Sequence, residues 1–176
     1  ETATTLTVKA TSVEDPSKSG TATVTVGEKA EINVGGVGLN GTPTAPAYAT
    51  TDTDGKVNTS GADESKYNIK WDGTTLTLNG ATIKNAGVNV IYREGSLDIV
   101  LQGTNTVESH AQGNEASYGI YVDGDMQVPP TSEEPCALSI SGDGSLEVSG
   151  SASSGSNAGI ATAKADIKIQ SDTITA

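Results

Sequence analysis

LTLNGATI at 76–83, LDIVLQGTNTV at 97–107, LSISGDGSLEV at 138–148 and IKIQSDTI at 167–174 are four versions of one pattern. Each opens with apolar side chains two residues apart: Leu76/Leu78, Leu97/Ile99, Leu138/Ile140 and Ile167/Ile169. Each then turns on polar or glycine residues and closes on an apolar group, Ile83, Val107, Val148 or Ile174. A period of two marks a strand with one face buried. A second series lies between them: GVNVIY from 87, GIYV from 119 and GIAT from 159, with glycine leading and Val88, Ile120 or Ile160 next. The opening strands stand 21, 41 and 29 residues apart. Treating Met126 to Cys136 as an insertion of about nine residues returns the long interval to near 32. Short strands repeating at such a spacing, with no helix, are the mark of stacked repeats that bury one continuous core. The expected fold class is all-β: a right-handed parallel β-helix (a solenoid) over 67–176, with an N-terminal β-hairpin. Its hand follows the general preference of parallel crossovers. Two facing antiparallel sheets are the competing architecture.

Composition agrees with thin, strand-built repeats. Thr, Ser and Gly number 24, 18 and 21 among 176 residues, Phe is absent, and Trp, Met, Cys and His occur once each. Such a chain fills its core with Val, Ile, Leu and Ala rather than rings, and these suit a pleated surface. Ten basic against 22 acidic residues give a net charge of -12. No nucleic-acid footprint is therefore expected. No apolar run reaches the length of a membrane span, so no membrane insertion is expected. A single cysteine excludes an internal disulfide framework.

Upstream of the repeats, the chain reads as two further regions. Residues 1–27 form a hairpin, with Leu6-Thr7-Val8-Lys9-Ala10 and Ala22-Thr23-Val24-Thr25-Val26 flanking the turn formers Glu14 to Gly20. Two strands alone are marginal in water, so this hairpin needs a partner surface. Residues 28–66 are a lead-in of loops and short strands, marked by Gly35-Gly36, Pro43, Pro46 and Asp52-Thr53-Asp54-Gly55, with a polar turn at Ala62 to Lys66. The chain starts at Glu1 and stops at Ile174-Thr175-Ala176 without a polar cap. The expectation is a processed fragment whose parent chain continues, or an end-to-end self-association at the last repeat.

Two stretches carry resemblances. TLTVKATSVEDPSKSGTATVTV resembles the closing hairpin of a bacterial Ig-like domain, the kind repeated along surface adhesins. The succession YNI at 67, WDG at 71, LTLNGATI, LDIVLQGTNTV, YGIYVDGD, LSISGDGSLEV and AGIATAKADIKI resembles bacterial cell-surface right-handed β-helix proteins of the carbohydrate-binding-domain type. That second resemblance covers about residues 30 to 176. It implies an extracellular or cell-surface location, and a polysaccharide or host glycan as partner. Some similar proteins bind acidic polysaccharide with calcium. The matching positions are core and turn positions, so no binding residue carries over.

The remaining candidates come from side-chain chemistry. Tyr92 and Tyr121 each follow a glycine-led strand start and are expected to align on neighbouring repeats as an exposed ladder for stacking on sugar rings; packing at repeat corners is the plainer role. Asp123 and Asp125 (and likewise Asp52 and Asp54) place carboxylates two apart beside glycine, as calcium requires. Asp-Gly is equally ordinary turn chemistry. Glu133 and Glu134 sit in the inserted loop Met126 to Pro135, where prolines stiffen an acidic excursion, and ligand contacts are expected there rather than at inner positions. His110 and Cys136 have no sequence neighbours that would make them a catalytic pair. The expected function is a non-catalytic surface module, carbohydrate-binding or adhesive. The alternative is a polysaccharide lyase or glycoside hydrolase acting on acidic polysaccharide, which needs a placed base or a carboxyl pair.

Overall fold

The computed structural model describes residues 4–15, 17–26, 31–111, 115–124, 136–152 and 155–176. Within them the chain is all-β, with no helix, and much of its sheet is parallel. It divides into two compact units, Glu1–Ala30 and Glu31–Ala176.

The first unit is a hairpin of β1 (Thr4–Thr11) and β2 (Ser19–Val26), antiparallel from Thr4↔Val26 to Thr11↔Ser19. Its loop is held by Asp15, whose Oδ1 accepts from the backbone N–H and the hydroxyl of Ser17. Val8 is exposed.

The second unit begins with short antiparallel strands. These are β3 (Ile32–Val34), β4 (Val37–Leu39), β5 (Ala47–Thr51), β6 (Val57–Asn58) and β7 (Ile69–Trp71). β3 and β4 are joined by Gly35-Gly36, both at positive φ (60° and 84°). A two-residue hairpin turn with both central residues at positive φ matches strand twist, and glycine adopts it without strain. The lead-in is thus part of the core, with Ile32, Val34, Leu39, Ala49 and Val57 all buried.

From Thr75 onward the pairing becomes parallel. β8 (Thr75–Asn79), β9 (Thr82–Asn85), β10 (Asn89–Glu94), β11 (Leu97–Gln102), β12 (Thr104–Ala111) and β13 (Ser117–Asp123) are followed by the long β14 (Cys136–Ala152), then β15 (Asn157–Ala163) and β16 (Ala165–Thr175). Three parallel ladders result: β8–β11–β14–β16, β9–β12–β14–β16 and β10–β13–β15. Inward positions line up along them. Leu76, Ile99, Ile140 and Ile169 form one row, and Ile91, Ile120 and Ile160 another.

The register corrects the sequence alignment in three places. Leu76 and Leu78 pair with Ile99 and Leu101, not with Leu97 and Ile99. Ile174 pairs with Leu146 rather than Val148, beyond a register shift between Gly142 and Ser145. Ile91, rather than Val88, stands beside Ile120.

Antiparallel strands cover two of the three ladders on one side: β7 lies against β8, and β3 lies against β10. The core there centres on Trp71, which is fully buried. Its Nε1–H donates to Glu31 Oε2 at 2.8 Å, and the Arg93 guanidinium lies 5.0 Å above its ring. Arg93 also donates to the Glu31 carbonyl. Among the described residues, three fully buried polar side chains lie deeper along the ladders: Asn105, Ser109 and Ser117. Asn105 Oδ1 accepts from Ala81 N, while Nδ2 faces the carbonyls of Gln102, Gly103 and Ser145. One side chain therefore touches three successive strand turns, giving Ala81 N–H an acceptor and adding a donor to carbonyls on the other two. Ser117 Oγ donates to Ser109 Oγ, which donates to Gly87 O.

Candidate functional site

Three of the five tyrosines, Tyr92, Tyr118 and Tyr121, converge on the outer face of the β10–β13 ladder. In β10, Val90 and Ile91 are both buried, and Asn89 and Tyr92 are partly exposed on either side. β13 repeats this, with Gly119 and Ile120 buried between Tyr118 and Tyr121. Two successive inward residues break strict alternation and bring side chains three apart onto one face. Gly119 makes the inward step possible. A Cβ there would fall inside contact distance of Val148 Cγ2 and 2.8 Å from Gly159 O.

The register pairs Tyr92 with Tyr121 and Asn89 with Tyr118. The Tyr92 and Tyr121 rings stack, with centroids 6.0 Å apart and planes 7° from parallel. Tyr118 stacks on Tyr121 at 5.2 Å and 22°. Offset stacking at these distances is favourable beyond area burial. The alignment of Tyr92 with Tyr121 is as expected from their sequence positions. Tyr118 was not expected in the cluster. The next strand sets Ala158 and Ala161 opposite Tyr118 and Tyr121, so the rings stop at β13 and give way to a shelf of methyl groups.

Carboxylates border the cluster. Tyr92 Oη donates to Glu94 Oε1 at 3.1 Å, and Glu94 is the register partner of Asp123. Burial, aided by the Glu94 carboxylate and the Asp123 charge, pushes the Tyr92 phenol up to about 12. Burial also raises Tyr121, with Asp123 and Tyr118 adding to it. Both phenols therefore keep their protons at neutral pH and remain hydrogen-bond donors. Asn89 Oδ1 is buried at the same edge with no hydrogen-bond partner among the described residues.

The other candidates separate. Asp125, Glu133, Glu134 and the loop Met126 to Pro135 lie outside the described residues. Asp123 lies at the end of β13 with Glu94 beside it, and its own carbonyl accepts from Gly95 N. Among the described residues no three of His, Cys, Asp and Glu converge enough to hold a metal ion. Asp52 Oδ1 accepts from the backbone N–H groups of Asp54 and Lys56, which is turn chemistry between β5 and β6. His110 is exposed and faces Glu108 at 3.3 Å, on the side where Lys84 bridges the same carboxylate at 2.9 Å. Cys136 is half-buried, with Sγ 3.8 Å from the Gly124 carbonyl.

One carboxylate pair escaped the sequence reading: Glu94 and Asp123, nearly thirty residues apart but adjacent in register. The basic residue next to it in sequence, Arg93, is spent on Trp71 and Glu31 instead. Comparison of the chain with protein-family models, curated proteins and solved structures gives no match.

Proposed function

We propose that this chain is a non-catalytic, carbohydrate-binding or adhesive module of a bacterial cell surface, and that its parallel ladders are the faces of a right-handed β-helix. The observation that carries the reading is the in-register tyrosine cluster on an outer sheet face. Tyr92, Tyr118 and Tyr121 pool three partly exposed rings on neighbouring strands, and the alanines of β15 leave a step beside them. A pyranose ring offers an apolar face of C–H groups and a rim of hydroxyls. Rings beside a methyl shelf suit the first, and Glu94, Asp123 and the protonated phenols suit the second. A surface of Thr, Ser and acidic side chains fits a module that works in water outside the cell.

The ladder also constrains how sugar binds. Rings stacked on each other do not offer those faces to a ligand, so contact falls on ring edges, hydroxyls and the step over Ala158 and Ala161. This favours weak recognition of a repeating glycan rather than deep enclosure of one sugar.

A glycan array with the purified chain, run with and without calcium, tests the reading. Retention that is lost in Tyr118→Ala and Tyr121→Ala, without turnover of the retained polysaccharide, supports it. Turnover abolished by Glu94→Gln or Asp123→Asn favours a hydrolase or lyase instead. No retention on any acidic or neutral glycan overturns the carbohydrate reading.

A further inference from the structure

We propose that the sugar taken by the tyrosine face is an amino sugar: a hexosamine polymer whose free ammonium groups meet the carboxylates bordering the rings. The proposal rests on the carbohydrate reading above and narrows it to a substrate class. The outer face of the β10–β13 ladder is rich in acceptors. Glu94 and Asp123 are register partners at one end of the two strands, and the Tyr92 hydroxyl donates to Glu94 Oε1 at 3.1 Å. At the other end Asn89 pairs with Tyr118, and Asn89 Oδ1 is buried with no hydrogen-bond partner among the described residues. Five residues of extended strand separate Asn89 from Glu94, about 17 Å. That length suits an oligomer rather than one sugar. Basic groups are scarce on the same strands. Arg93 is the one basic residue in β10, β13 and β15, and its guanidinium lies over the Trp71 ring and donates to the Glu31 carbonyl. Lys164 stands just past Ala163, the register partner of Asp123. With Arg93 turned to Trp71, two carboxylates border the rings against that one ammonium.

Charge separates three kinds of sugar at this face. A uronic acid brings its carboxylate against Glu94 and Asp123, like charge on like charge, in a chain of net charge -12. A neutral sugar meets the rings and offers hydroxyls, but leaves the two carboxylates without a counter-charge. A hexosamine with a free amine satisfies both. Its C–H groups rest on the ring edges and on the methyl step of Ala158 and Ala161, while its ammonium donates to carboxylate oxygen. The phenols themselves register this field: Tyr92 is raised by burial first and then by Glu94 and Asp123, and Tyr121 by burial and then by Asp123 and Tyr118. A lysine-rich peptide carries the same charge, but it has no flat C–H face to lay against rings and methyl groups. The aromatic row therefore favours the sugar.

Isothermal titration calorimetry of the whole chain with four soluble oligomers of equal length tests the proposal: glucosamine, N-acetylglucosamine, galacturonate and lysine. Titrations run at about pH 6, where amines hold their protons, and at about 0.15 M salt, where attraction beyond about 8 Å is screened. The glucosamine oligomer is expected to bind about tenfold more tightly than its N-acetylated counterpart, as two solvated ion pairs would give. Galacturonate is expected to bind most weakly. Glu94→Gln/Asp123→Asn is expected to bring the glucosamine and N-acetylglucosamine affinities together, and Tyr118→Ala to weaken both. Circular dichroism checks that the variants fold as the wild type does. Equal affinity for the two hexosamine oligomers, or tighter binding of galacturonate, overturns the amino-sugar proposal and leaves the carbohydrate reading standing. A lysine oligomer bound as tightly as glucosamine overturns it too, since charge alone would then be recognised. So does a preference that survives in Glu94→Gln/Asp123→Asn. Failure to bind any of the three glycans overturns the carbohydrate reading itself, and the proposal with it.

Discussion

The two sides of the parallel ladders finish differently. At β8 and β10 the ladders meet short antiparallel strands, β3 from the lead-in and β7 just after it, and the apolar residues at these junctions are sealed: Trp71, Ile69, Val34 and Leu76 are fully buried. At β16 the same inner row ends with Ile167 and Ile169 about half exposed. Both sides are made of similar side chains, so hydrophobicity does not distinguish them. The difference lies in whether antiparallel strands fold back to pair the edge. Glu31 and Arg93, 62 residues apart in sequence, lock that fold-back by gripping Trp71 together. A repeating core needs a distinct segment to stop it, and that segment need not look like the repeat.

Substitutions at the two sides should therefore cost unequal amounts. Trp71→Ala empties the closed side, and urea unfolding should show a loss of about 3–5 kcal/mol. Asn105→Ala leaves the buried Ala81 N–H without its acceptor and removes a donor shared among three carbonyls, and is expected to lose about 2–3 kcal/mol. If it costs less than an ordinary surface change, the polar tie between levels is not stabilising. Ile169→Ala at the open side should cost only about 1 kcal/mol, because half its surface is already in water. A loss matching that of Trp71→Ala would erase the contrast between the two sides.

Titration gives smaller effects. The Tyr92 phenol, pushed up to about 12 by burial and Glu94, should ionise well after an ordinary tyrosine near 10 when tyrosinate absorbance is followed. Its folded value is raised, so its contribution to stability is complete below the unfolded value and is lost as pH climbs between the two. Glu94→Gln should bring that ionisation partway back, the burial remaining. The least effect is expected at Lys84, whose ammonium, ahead of His110 and against a burial effect in the other direction, holds Glu108 below the usual carboxylate range. That contribution is present above the unfolded carboxylate value and fades as pH falls through the folded one. Lys84→Ala should remove no more than about 0.5 kcal/mol at neutral pH, since the pair is largely solvated.

Which parts of this were legible in the sequence follows from periodicity. The apolar rows of β8, β11, β14 and β16 were visible because each strand alternates cleanly. Their exact register was not, because Leu97, Ile99 and Leu101 are three inward residues in sequence and a slip of two keeps every side chain on the correct face. Ile174 was displaced for a related reason: the irregularity between Gly142 and Ser145 changes the count without changing the residue types. The strands of two to five residues from β3 to β7 are too short to show a period, so the part of the lead-in and of residues 67–74 in covering the ladders was hidden. In the candidate site, Tyr92 and Tyr121 were found by their glycine-led starts. Tyr118 was missed because residues three apart fall on opposite faces of a regular strand, and only the double inward step at Gly119 and Ile120 reunites them. The signal was present in GIYV, where glycine precedes a branched apolar residue at a place of tight contact with Val148.

Hydrogen–deuterium exchange, resolved by peptide and repeated over a range of protein concentrations, tests the contrast between the two sides most directly. Segments covering Ile69–Trp71 and Thr75–Asn79 are paired on both edges and should be protected equally at every concentration. The segment covering Ala165–Ile169, paired on one edge among the described residues, should exchange faster. Protection of that segment equal to that of Thr75–Asn79 in dilute solution, unchanged by concentration, would contradict an open edge at β16.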